Sequence, residues 1–284
     1  NLTWHPRNWR PQILVFTSNP INRLGLVRLA TWFNQNRGVV TVCQLMQGDL
    51  EKEDIHLPDR CHEMDEILLD KGLVGFGKVG VVRDLESGII STVQANGFAG
   101  LQANTVMFGW PDNHEGMVRL LKIMRTLEKL ELSTIIARLP NPDGLERQSR
   151  IDIWWRGRQH NGDLMLLLAH LLTLNNEWRD SRIFLRTIIR RPDGYEAMSK
   201  KLGLLIEETR INAETDVIIK PTQNTFTQTM HQESKETDAI FLGLKMPTED
   251  EIQGYARTLL ELAVGPVGYI MVRNAGPYRG KLIL

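Results

Sequence analysis

The run Ile151-Asp152-Ile153-Trp154-Trp155 ends in two adjacent tryptophans. In extended backbone, neighbouring side chains point to opposite faces, so the two indoles lie on opposite sides of the sheet that holds them. Each is a large apolar surface, and the pair predicts a central strand covered on both faces. A short polar turn follows, then a Leu-rich helix predicted over residues 162–174 and the pair Trp178-Arg179.

The same rhythm extends in both directions. Before this strand, β-rich runs at 11–17, 39–45, 78–82, 105–109 and 134–139 alternate with helical periodicities, starting with Leu24, Val27, Leu29 and Phe33 and continuing at 59–70, 88–95 and 115–130. From residue 150 onward, strands at 150–155, 182–188, 216–220, 239–244 and 268–273 alternate with helices at 162–174, 195–211, 225–235 and 249–262. Strands alternating with helices of ten or more residues signal parallel βαβ crossovers. The turn formers Pro140-Asn141-Pro142-Asp143-Gly144 separate the halves, giving a first α/β subdomain over 1–142 and a second over 143–284.

The halves also resemble each other. Asn104-Thr105-Val106-Met107-Phe108-Gly109-Trp110-Pro111 is matched by Thr237-Asp238-Ala239-Ile240-Phe241-Leu242-Gly243-Leu244, with Pro247 beyond. Two accounts stand: duplication of a five-stranded unit, or the common look of buried parallel strands. Duplication is the simpler. The expected fold is α/β, as two tandem five-stranded parallel-sheet subdomains flanked by helices.

Composition narrows the function. Lys+Arg and Asp+Glu balance at 34 each across 284 residues, so the molecule has no overall field to gather nucleic acid or an acidic membrane. Only Cys43 and Cys61 are present; they read as free thiols in a reducing compartment. The longest apolar run, 164–174, contains His170 and is too short to span a bilayer, so no direct membrane insertion is expected. The start at Asn1, without an initiator Met or a leader, reads as an excised fragment. Asn1-Leu2-Thr3 matches a glycosylation acceptor only as chance triplets do.

No catalytic constellation emerges. Gly75-Phe76-Gly77-Lys78-Val79-Gly80 matches the dinucleotide fingerprint literally, but that motif needs a strand before it and a helix after it, and here the order is reversed. His56, Cys61 and His62 lack the spacing of a metal site, and no metal or cofactor is expected. There is no nucleophile elbow, and Glu249, Asp250 and Glu251 read as helix-start charges. A parallel sheet leaves a crevice at its carboxyl ends, which Thr17, Ser18, Asn19, Gly109 and Trp110 would line. Alternatively, Ser18-Asn19-Pro20 merely caps the next helix. Leu26, Trp32, Trp178 and Tyr255 are read as helix-to-sheet packing.

Taken together, Asn8-Trp9-Arg10-Pro11-Gln12, Asn104-Thr105-Val106 with Gly109-Trp110-Pro111, Ile151-Asp152-Ile153-Trp154-Trp155 with the leucines of 164–172, and Asp238-Ala239-Ile240-Phe241-Leu242 resemble the cytosolic C-terminal domain of cation-chloride cotransporters. The motifs occur in the family's order over nearly the whole chain. The turn that often carries two glycines in eukaryotic members is Asn161-Gly162-Asp163 here, and the large phosphorylated insertions have no counterpart, so the resemblance is to a prokaryotic homologue. It implies a non-catalytic regulatory domain at the cytoplasmic face of the cell membrane, joined to the transmembrane domain of the same polypeptide in a sodium, potassium and chloride symporter. It also implies a homodimer and two universal stress protein-like subdomains. The alternative is a nucleotide-binding stress-type sensor, although Trp110-Pro111-Asp112-Asn113 lacks the glycine-rich phosphate loop of nucleotide-binding members of that fold.

Overall fold

The computed structural model describes residues 9–35, 37–52, 55–96, 102–145, 148–156, 161–209 and 211–283. Asn1-Leu2-Thr3 and Asn8 lie outside them. In the first half, β1 (Ile13–Phe16), α1 (Leu24–Asn34), β2 (Val40–Gln47), α2 (Leu57–Asp70), β3 (Phe76–Val82), α3 (Leu85–Ala95), β4 (Thr105–Gly109), α4 (His114–Lys129) and β5 (Ser133–Arg138) follow in order. The second half repeats the alternation with β6 (Arg150–Trp154), α5 (Gly162–Thr173), β7 (Arg182–Ile189), α6 (Tyr195–Thr209), β8 (Glu214–Ile219), α7 (Phe226–Glu233), β9 (Ala239–Gly243), α8 (Ile252–Leu262) and β10 (Gly268–Arg273).

The two five-stranded runs join into one ten-stranded sheet, ordered β3-β2-β1-β4-β5-β10-β9-β6-β7-β8. Numbered within its own half, each run reads 3-2-1-4-5, and the second is the first in reverse. Pairing within each half is parallel, and the junction of β5 with β10 is antiparallel, with Ile136 opposite Met271. An antiparallel contact between equivalent strands is what a local twofold relation between the halves produces.

Both sheet faces are covered, as parallel sheets require. Along β1, Ile13 and Val15 face the core shared with α1 and α5, while Leu14 and Phe16 face the cluster that includes Val93 of α3 and Ile123 of α4. In β6, Ile151 and Ile153 lie on the α1/α5 side and Trp154 joins α7 and α8 on the other. Trp154 is buried and Trp155, just beyond the strand, is half-buried against the first core, so the two indoles do point to opposite, covered faces.

Local signals set the helix starts. Asp84 accepts from the Ser87 amide at 2.7 Å, Asn113 accepts from the Gly116 amide at 2.8 Å, and Thr225 with Gln228 forms a reciprocal capping box. The turn at 140–144 is packed down: the Gly25 amide donates to the Pro142 carbonyl at 2.7 Å, and Gly144 (φ +119°) rests against Gly25.

Candidate functional site

At the carboxyl ends of β1 and β4, the structure brings Thr17, Ser18, Gly109 and Trp110 to one crevice of about 230 Å³. Its floor is apolar, built by Phe16, Cys43, Phe108 and Ile123, with the Phe16 and Phe108 rings stacked at 5.6 Å. Arg23 and Arg119 also line it. Asn19 is not part of the lining. Its Oδ1 accepts from the Ile21 and Asn22 amides at 2.9 and 3.4 Å, capping the turn that leads into α1.

Arg23 occupies the ground above Gly109. Its Nη1 donates to the Trp110 carbonyl at 3.1 Å, its Nη2 lies 3.6 Å from Asp112, and a Cβ added at Gly109 would run into the guanidinium. Cys43 is fully buried, and burial pushes its thiol up to about 12, so it stays protonated and is a poor nucleophile. The crevice is therefore an apolar slot edged by guanidinium groups, smaller than the roughly 300–1,000 Å³ of ordinary ligand pockets.

The equivalent place in the second half is filled by an amide. Asn161 Nδ2 donates to the Leu244 carbonyl at 2.8 Å beside Gly243, and Asn161 Oδ1 accepts from the Asn274 amide at 2.9 Å. Next to it, the buried Asp163 accepts from the Leu164 amide (2.9 Å), Asn274 Nδ2 (2.7 Å), the Gly280 amide (2.6 Å) and the Leu282 amide (3.3 Å). Burial pushes its carboxyl above the usual range, and these donors pull it part of the way back. The Asn161-Gly162-Asp163 turn is thus a clamp on the last dozen residues, a role its spacing alone did not reveal.

Asp152 is the second feature that sequence reasoning left unassigned. Wholly buried in mid-strand, it accepts from Ser234 Oγ and Thr237 Oγ1, both at 2.7 Å, and from Arg150 Nε at 3.2 Å. Arg186 Nε is 3.4 Å away, and the same guanidinium meets Asp216 at 3.5 Å and Glu233 at 3.7 Å. Trp154 Nε1 donates to Ser234 Oγ at 3.1 Å. An aspartate between two isoleucines of a buried strand was the available signal, since a buried carboxylate needs partners.

The other motifs take structural places. Residues 76–80 of the glycine motif run through β3, whose backbone pairs with β2, and the Gly77 amide donates to Asp65 Oδ1 at 2.5 Å. His56 pairs with Asp59 at 3.0 Å and His62 with Glu66 at 3.3 Å, while Cys61 Sγ accepts from the Val79 amide. Among the described residues no group of three or more His, Cys, Asp or Glu side chains is placed to hold a metal, and no helix is long and apolar enough to cross a membrane. The Arg125 hydrogen bond to Glu249 holds that carboxyl below its usual range. Leu26, Trp32 and Trp178 are buried, and the largely buried Tyr255 accepts from the Lys245 amide, its hydroxyl pushed up to about 12 by burial.

The fold so defined is a doubled universal stress protein-like α/β unit. No protein-family model matches the sequence. Among solved structures, the cytoplasmic domain of a prokaryotic cation chloride cotransporter is similar over 97% of this chain and 100% of that one, with a TM-score of 0.69 and 18% identity. A universal stress protein from Archaeoglobus fulgidus DSM 4304 is similar over 94% and 97% of the two chains (TM-score 0.55, 13% identity). A protein of unknown function from Pseudomonas aeruginosa PAO1 is similar over 98% and 95% (TM-score 0.58, 9% identity). At these identities the likeness is one of fold.

Proposed function

We propose that this chain is the cytosolic regulatory and dimerisation domain of a cation-chloride cotransporter, and that it makes and breaks no bonds of its own. The observation that carries this reading is the end-to-end likeness of fold to the cytoplasmic domain of such a transporter, which leaves no segment of that domain unmatched. The physical rationale is stiffness. A sheet continuous across both halves, tied by the β5–β10 ladder and by contacts such as Ser133 with Asn274 and Glu128 with Arg273, moves as one body. In a symmetric pair of such domains the orientation of one protomer then depends on the other.

Sedimentation of the isolated chain across a wide concentration range tests the reading, with reversible dimerisation expected. A strict monomer at the highest concentrations, or a parent gene encoding no apolar spans, overturns it.

The slot edged by Arg23 and Arg119 favours a second reading, a nucleotide-binding stress-type sensor. Its small volume and the Arg23 side chain over Gly109 weigh against it. Calorimetric titration with ATP and AMP, with a phosphate-release assay, separates the two: tight binding with turnover belongs to the sensor.

A further inference from the structure

We propose that the carboxyl-end rim of β6, β7 and β8, at the outer end of the second half of the sheet, is a docking surface for anionic phospholipid. Strands β6, β7 and β8 are adjacent and parallel, so the residues that follow them emerge along one edge. Those residues include Arg156, the pair Arg190-Arg191, and Lys220. With strands about 4.8 Å apart, the four cations fall within a band roughly 10 Å wide before side-chain reach is added.

Their charge is not cancelled locally. Arg156, Arg190 and Arg191 are exposed and form no ion pair among the described residues. The Arg156 guanidinium lies 4.1 Å from the Phe226 ring centroid, and Lys220 Nζ donates to the carbonyls of Pro221 and Asn224; both contacts fix the position of a cation without neutralising it. The described parts of the loops that follow β6, β7 and β8 carry one carboxylate, Asp193, with Glu196 exposed in the first turn of α6; in the loop after the neighbouring β9, Glu249 and Glu251 are already paired with Arg125 and Lys245, and Asp250 is exposed. Since the whole chain balances 34 cations against 34 anions, this rim is a local segregation of charge.

The second observation is apolar. Tyr195, which opens α6 just beyond the arginine pair, is 44% exposed, and Ile219, adjacent to Lys220, is 42% exposed. Cations interleaved with an exposed aromatic and an exposed aliphatic side chain match the headgroup level of a bilayer, where tyrosine is favoured and acidic lipid attracts Lys and Arg. A soluble anion would engage the cations alone. The transporter reading enters only in supplying a nearby membrane.

Flotation of the 284-residue chain with vesicles tests the proposal. The chain should bind phosphatidylcholine vesicles that contain about 30 mol% phosphatidylserine and ignore pure phosphatidylcholine, with binding lost at high salt. Arg190→Glu/Arg191→Glu should bind at least about 30-fold more weakly, from about 1 kcal/mol per cation removed. Lys52→Glu/Lys71→Glu, the same charge change on the first half, should bind as the parent does, and circular dichroism checks that both variants fold. Tyr195→Ser should weaken vesicle binding at unchanged charge.

Equal binding by the parent chain and Arg190→Glu/Arg191→Glu overturns the proposal, as does no binding at all. So does an unaffected Tyr195→Ser combined with equally tight binding of inositol hexakisphosphate, which would assign the rim to soluble phosphates. The outcomes also separate from the transporter reading: a dimer that ignores these vesicles sinks only the lipid rim, and a vesicle-binding chain whose gene lacks membrane spans sinks only the transporter.

Discussion

Ile136 and Met271 face each other across the β5–β10 ladder, the one antiparallel pair among the named strands of an otherwise parallel sheet. Both are buried, and so are their neighbours Ile135, Ala137, Ile270 and Val272. One of the two strands that would edge each half is therefore in the middle of the molecule, and the free edges are β3 and β8.

A fragment of residues 1–142 leaves β5 without its partner, exposing unpaired backbone beside apolar side chains. Such an edge is a template for pairing with another chain. The fragment should be dimeric or aggregated by light scattering at micromolar concentration; a stable monomer would contradict the role given to this ladder.

Asp152 and Arg186 form the most heavily buried ion pair among the described residues, and removing the carboxylate leaves Ser234 and Thr237 without their acceptor and Arg186 with only the more exposed Asp216 and Glu233. Asp152→Ala should cost about 3–5 kcal/mol in urea unfolding. Asp152→Asn, which retains an acceptor for Ser234 or Thr237, should cost less. Equal losses for the two would mean that packing, not charge, dominates at this position.

The strand and helix periods of this fold were legible because they come from local chemistry: the β-branched run at β2, the Asp84 and Asn113 caps, the turn formers at 140–144. Predicted elements match the observed ones to within a few residues. The β5–β10 junction was not legible, since nothing in Ile135-Ile136-Ala137 or Ile270-Met271-Val272 distinguishes a strand paired on both sides from one at an edge. The crevice was partly legible. Topology placed Thr17, Ser18, Gly109 and Trp110 together, but which side chain of the following loop would turn back over Gly109 depends on the path that brings Arg23 within 3.1 Å of the Trp110 carbonyl. Asp163 escaped for a similar reason, because its partners Asn274, Gly280 and Leu282 lie more than a hundred residues away.

Two glycines in close contact should respond differently to alanine. At Gly109 the new Cβ meets the far end of Arg23, a flexible and partly solvated side chain that can withdraw. At Gly162 it meets the Trp155 ring, which is rigid and packed against the core. Gly162→Ala should therefore lose about 1–3 kcal/mol by overpacking, and Gly109→Ala clearly less. Denaturation midpoints of the two variants check the order.

The thiols should label in sequence. Cys43 is fully buried with its thiol pushed up to about 12, whereas Cys61 is partly exposed. One equivalent of a thiol reagent should react with the native chain, at Cys61, and the second only on unfolding. Peptide mapping that finds early modification at Cys43 would show that the crevice floor opens in the native state.

Asp163 should give the molecule a pH-dependent clamp whose sign follows from burial. Because the folded state holds this carboxyl above its ordinary value of 3.8, the folded state binds the proton more tightly than the unfolded chain does. Its contribution to stability therefore falls as pH rises from 3.8 through the raised folded value and is flat above it. Asp163→Asn removes that slope, so the stability difference between parent and variant should change in the parent's favour as the pH is lowered through this window. The variant also brings an amide donor where only acceptors serve, since one carboxyl oxygen receives Leu164 and Asn274 and the other receives Gly280 and Leu282. At least one pair of donors then loses its partner, at about 0.5–1.5 kcal/mol per bond. Hydrogen exchange should accelerate about tenfold at neutral pH at the pair that the amide faces, at Leu164 or at Gly280 and Leu282, while the global unfolding energy changes less. Unchanged exchange there would mean that Tyr278 and Leu282, packed on the α1/α5 core, hold the C-terminal segment without the carboxylate.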